Sequence, residues 1–216
     1  MKTAADWQQA GIWAGIIGPP LFVAVFTLEG WLRPDYDPLR MYVSALSLGE
    51  RGWVQIANFI VFGLLLLLFT RGVATAFRSG NASRSGLAIL AIIATGYLIS
   101  GPFVMDPDGI PAQQMTLHGL LHAIAGAIVF SLMPASFFIF LRRFREDPNW
   151  QPIQGWTLLL GMVCALAVVT LSVFSKPPDL KNSFDQWFGL IQRMAIMPFM
   201  LWILIFALRL KRVTVS

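Results

Sequence analysis

The chain has 216 residues, of which 56% are hydrophobic and 12% charged, and a formal net charge of +5. With a mean hydropathy of +0.67 and several apolar runs of about twenty residues, it is too apolar for one soluble core to bury, so lipid must be the main solvent. The isoelectric point near 9.9 does not point to a nucleic-acid partner, because the basic residues sit in short clusters at the ends of apolar runs, where lipid head groups are expected.

The pattern predicts an all-α polytopic protein with six spans, at about 11–32, 53–77, 86–105, 117–141, 156–175 and 187–208, forming one integral membrane domain over 1–216. The first is read as a retained helix rather than a signal peptide: its apolar run is long, Glu29 lies near its end and no small-x-small cleavage site stands out. Gly18-Pro19-Pro20 is expected to bend it, as Pro134 and Pro198 are expected to bend the fourth and sixth spans. The connection Arg33–Trp53 is long and broken by prolines and a glycine, with Ser44 and Ser47 three apart on a short helix placed to cap a cavity. Asn58 lies in the second span and Ser100 in the third, and Asp106-Pro107-Asp108-Gly109 reads as a turn leading to the fourth. That span opens with His118 and His122, the only two histidines. Cys164, alone in the fifth, excludes an intramolecular disulfide, and Arg193 lies in the sixth. Tryptophans 7, 31, 53, 150, 156 and 187 fall near span ends and read as an interfacial belt.

The N-terminal segment, the second and fourth connections and the tail carry nine Lys and Arg residues, against five in the other three connections. The positive-inside rule therefore places both termini in the cytoplasm. At helical rise, Glu29, Asn58, Ser100, His122 and Arg193 then lie roughly 5–9 Å below the outer surface. Ionisable groups in hydrocarbon are unfavourable by roughly 2.5–3.5 kcal/mol or more, so these side chains are expected to turn inward around one outward-opening site.

His118 and His122 are four residues apart and share a helix face, the spacing by which two imidazoles bind one metal ion, with Asp106 as a third ligand. Zinc or another divalent ion is one reading. The others are an acid/base or ligand-binding pair without metal, and two histidines bonded to carbonyls or carboxylates for structure alone. Haem is disfavoured, because side chains one turn apart cannot ligate opposite faces of the iron. Arg193 is a candidate for pairing with Glu29 or Asp106, for binding an anionic group, or for snorkelling to water. Gln192 points to a different face. Ser44 and Ser47 are candidate substrate contacts without any nucleophile-elbow motif, and Asn58 suits an interhelical hydrogen bond or a ligand contact. Gly126, two turns below His118, leaves space beside the imidazoles.

The segments "YDPLRMYVSALSLGERGW", "FVMDPDGIP", "TLHGLLH" and "GLIQRMAIMPFMLW" resemble the motifs of a prokaryotic family of six-helix membrane proteins, domain of unknown function 998. The likeness spans about Gly11 to Arg209 and implies architecture, a multi-pass location in the cytoplasmic membrane and a recurring set of polar positions, but no reaction. A fainter similarity is to membrane hydrolases of the alkaline ceramidase and adiponectin-receptor type, whose zinc is held by three histidines; with two histidines and six spans this chain does not supply that site.

Two functions are expected from this reading. One is a membrane-embedded hydrolase or transferase acting on a lipid or isoprenoid-like substrate, with His118, His122 and Asp106 catalytic and Arg193, Asn58, Ser44, Ser47 and Glu29 contacting substrate. The other is a lipid or small-molecule binding or carrier protein; a carrier should continue its polar groups to the cytoplasmic side or show a repeat, and neither is seen. A purely structural assembly partner would leave the polar layer unexplained.

Overall fold

The computed structural model describes residues 4–76, 81–175 and 183–215. Six long helices dominate: α1 (Ala4–Trp31), α2 (Gly52–Ala76), α3 (Asn81–Ser100), α4 (Leu117–Glu146), α5 (Gln154–Phe174) and α6 (Phe188–Val215). Five contain stretches long and apolar enough to cross a membrane, and α3 adds a shorter apolar stretch, Arg84–Ser100. Each helix packs against its neighbours in sequence, and α6 closes the ring against α1. The connections α1–α2 and α3–α4 lie at one end of the bundle, here the loop face, and the start of α1 and the end of α6 meet at the opposite, terminal face, where Gln8 donates to the Thr214 hydroxyl at 3.3 Å.

Local chemistry sets the ends. The third span was expected to reach residue 105, but α3 stops at Ser100. Pro102 lacks an N–H and pushes the residue before it out of helical geometry. α1, α4 and α6 run through Pro19-Pro20, Pro134 and Pro198 as continuous helices. Gly11 on α1 and Gly72 on α2 let two backbones touch: a Cβ on Gly11 would come within 2.7 Å of the Gly72 Cα.

The terminal half of the bundle is packed with aromatic rings. Phe137, Phe140, Phe144, Phe199, Trp202 and Phe206 are fully buried, with Phe137 and Trp202 centroids 4.5 Å apart. The Trp202 indole donates to the Thr157 hydroxyl at 3.1 Å, so its one polar atom is satisfied inside the core. Trp150 departs from the expected belt. It is buried, stacked on Phe144 at 5.3 Å, whereas Trp31, Trp53, Trp156 and Trp187 are exposed.

Candidate functional site

The long first connection is a folded plug inserted in the loop face. A short 3-10 helix, Val43–Ser47, has every residue buried. Arg33 donates to the carbonyls of Leu46 (2.8 Å) and Leu48 (2.9 Å), gripping the end of that helix. Glu29, itself buried, receives two hydrogen bonds from Arg51 and a salt bridge from Arg33 at 3.5 Å. Its acidity in an apolar helix is thereby balanced by the loop it anchors.

The other side of the plug is held by α6. Arg193 donates to the Met41 carbonyl (3.0 Å), the Gly189 carbonyl (2.9 Å) and the Tyr36 hydroxyl. Burial pushes the Tyr36 phenol above its ordinary value, against the pull of the Arg193 guanidinium. The neutral phenol thus keeps its proton to donate to the Tyr42 carbonyl at 3.0 Å. The first amides of α6, Gly189 and Leu190, donate to Arg40 and Leu39, which supplies partners for the open N-terminus of the helix. Gln192 accepts from the Val43 N–H at 2.8 Å. Glu29 and Arg193 are therefore joined to the loop, and Arg193 pairs with neither Glu29 nor Asp106.

Asp106 is likewise committed. Its two oxygens accept from the Thr116 N–H (2.9 Å) and hydroxyl (2.8 Å), and that hydroxyl in turn caps α4 by accepting from the Gly119 N–H at 3.0 Å. Gly109, with φ of +88°, makes the sharp turn that brings Asp106 back over the helix start. The carboxylate lies directly against Gly119, where a Cβ would collide with it. His118 is exposed and sets its ring against Phe103, 5.4 Å between centroids. His122 holds the Phe103 carbonyl at 2.8 Å through Nδ1. A carbonyl only accepts, so Nδ1 carries the proton and Nε2 of the neutral ring is the acceptor. Among the described residues no group of three His, Cys, Asp or Glu side chains is placed to hold a metal ion. The expected His118, His122 and Asp106 ligand set is not assembled here, because Asp106 caps α4 instead.

Below the plug lies a cavity of about 150 Å³. Its polar wall is Ser44 from the plug, Ser100 from α3, His122 from α4 and Gln192 from α6, and its floor includes Tyr97 and Gly126. Ser44, His122 and Ala123 also line an adjoining space of about 280 Å³ at the loop face, bordered by Tyr42, Asp106 and Asp108. Burial and the nearby Asp108 push the Tyr42 phenol up to about 12, so it stays a neutral donor at this mouth. The Ser100 hydroxyl is taken by the Gly96 carbonyl at 2.9 Å, and Ser47 donates to the Ser44 carbonyl at 2.6 Å. Asn58 spans from α2 to the Phe22 carbonyl on α1 at 3.1 Å, outside the cavity. Among the described residues no hydrogen bond engages the hydroxyls of Ser44 or Tyr97, although the two residues are only 9% and 4% exposed.

Of the residues expected to form one polar layer, Ser100 and His122 share the cavity, joined by Ser44 from the connection expected to cap it, whereas Glu29, Asn58 and Arg193 do not line it. Gln192 and Tyr97 line it without having been singled out for it. Gln192 was assigned to a different face from Arg193, which is the signal that would have pointed inward once Arg193 was given to the loop.

These features define a six-helix integral membrane bundle, closed by aromatics at one face and hollow beneath a loop plug at the other. The chain belongs to the family described as Protein of unknown function (DUF998), whose profile matches residues 16–209. No curated protein and no solved structure matches it.

Proposed function

We propose that this protein is a membrane-embedded hydrolase or transferase acting on a lipid-like ester, with Ser44 as nucleophile and His122 as its acid/base. The observation that carries this reading is that Ser44 and His122, from separate elements, both line the enclosed cavity and its mouth. The Ser44 hydroxyl is free of described partners, and the Nδ1 bond to Phe103 orients the imidazole with Nε2 as acceptor. Nε2 takes the Ser44 proton as the oxygen attacks the ester carbonyl and returns it to the departing alcohol, leaving an acyl-Ser44 ester; water or an acceptor alcohol, deprotonated at the same Nε2, then attacks that ester and the proton passes back to the Ser44 oxygen. If the termini are cytoplasmic, as the loop charges favour, the site faces outward. The aromatic packing of the terminal half supports an enzyme over a carrier, since among the described residues its buried side chains are mainly aromatic and aliphatic.

The test is labelling of purified protein in phosphatidylcholine vesicles with a fluorophosphonate, which reports an activated serine. Wild type is expected to label at Ser44, with loss in Ser44→Ala and strong slowing in His122→Gln. Equal labelling in His122→Gln, or no labelling of folded wild type, would overturn the assignment.

A further inference from the structure

We infer that the ligand enters this cavity sideways from the bilayer, through a cleft between α4 and α5, so that its reactive group is enclosed while a single apolar tail stays in lipid. The inference rests on the reading above that the cavity takes a ligand, and goes on to say which kind and by what route.

The exposure of residues along one face of α4 carries this inference. In the terminal half, Phe137 and Leu141 on this face are buried, at 0% and 6% exposed. There Gly161 of α5 sits so close that a Cβ on it would lie 2.8 Å from the Phe137 Cβ. Towards the loop face the same side of α4 opens progressively: Pro134 and Phe130 are half-buried, and Ala127 and Ala123 are exposed. α5 shows the matching change, with Thr157, Leu160, Gly161, Cys164 and Ala167 buried and no buried residue beyond Ala167. The two helices therefore meet tightly at the terminal end and part at the loop end. Ala123, Ala127 and Phe130 line the cavity and this opening at once, while no residue of α5 lines the cavity.

Size and chemistry then limit the occupant. A cavity of about 150 Å³ matches one that holds a benzene-sized group, about six non-hydrogen atoms. Whole drug-sized ligands need roughly 300–1,000 Å³. A long molecule can place only one end inside, and the rest must leave through the cleft. The cavity end is polar, with Ser44 9% exposed and its hydroxyl unpartnered among the described residues. The cleft flank is apolar, continuing into Leu120, Ile124 and Ile128 on the lipid-facing side of α4. An amphiphile with a small polar or ester end and one chain fits both.

Vesicles of phosphatidylcholine containing a lysophospholipid with a diazirine on its chain near the ester test the route. After irradiation, peptide mapping is expected to find adducts on Phe130 and on the inward residues Tyr97 and Ile196, both only 4% exposed. Ala127→Trp, at an exposed position, is expected to cut the Tyr97 and Ile196 adducts severalfold. Val168→Trp, on the loop half of α5 and outside the lining of the cavity and its mouth, serves the same purpose should Ala127→Trp fold poorly, and there fluorophosphonate from water is expected still to reach Ser44 through the loop-face mouth. Adducts confined to Ile124 and Ile128, or inner adducts unchanged in both variants, would overturn the side entrance. Failure of Ser44 to label in wild type that still forms inner adducts would instead overturn the serine chemistry and leave the side entrance standing.

Discussion

Replacing Gly126 with leucine asks whether the cavity is a working site or a packing fault. A Cβ at this position meets no heavy atom within 4 Å, and the cavity beside it measures about 150 Å³, so an isobutyl group has room without moving the backbone. Empty core volume is unfavourable by about 24 cal/mol per Å³, which sets a ceiling near 3.6 kcal/mol, about half of it for a partial fill by four carbons. Removing a glycine from a helix interior adds up to about 1 kcal/mol. The denaturation midpoint in detergent should therefore rise. The same side chain occupies the space beside His122 and Ser44, so fluorophosphonate labelling of Ser44 and lipid retained in native mass spectrometry should both fall. Higher stability with lower occupancy is the outcome expected of a site kept open at the expense of packing. A variant less stable than wild type, or one that labels and retains lipid as wild type does, refutes the reasoning.

Gly119→Ala drives a methyl group into the Asp106 carboxylate and should destabilise by about 1–3 kcal/mol. Combining it with Asp106→Ala should cost less than the two single changes added together, and strict additivity in the double-mutant cycle would show that the carboxylate does not rest there. Arg193→Lys keeps the charge but loses the fork that reaches Met41, Gly189 and Tyr36, a loss of about 2 kcal/mol. Faster hydrogen exchange at the Val43 amide is the local sign to look for, and unchanged exchange would mean the plug is held elsewhere. Elemental analysis should find zinc well below one per chain, with chelation leaving the unfolding midpoint in place; stoichiometric zinc would require Asp106 to release Thr116. Reporter fusions after Ser216 should read as cytoplasmic and those near Tyr36 and Ile110 as external, the opposite pattern inverting the site.

Six helices were legible because hydrophobic length alone marks a span, and the ends that shifted did so for local reasons, as at Pro102. The polar layer was legible as depth, since helical rise gives each residue its level. Depth says nothing of azimuth, and azimuth decided the partners: Glu29 met Arg33 and Arg51, Asn58 met the Phe22 carbonyl, and Arg193 met the plug. The Glu29–Arg33 pair, four apart, was open to reading from spacing. The α4–α5 cleft was not, because it depends on where α5 leaves α4, and no residue pattern on α4 alone records that. Low dielectric requires every buried polar group to find an internal partner or a ligand, without saying which. Most of this layer found partners within the fold and became structure. The Ser44 and Tyr97 hydroxyls have none among the described residues, and both line the one space where Gly126 withholds a side chain; that combination, more than the presence of histidine, is what separates a site from a well-satisfied interface.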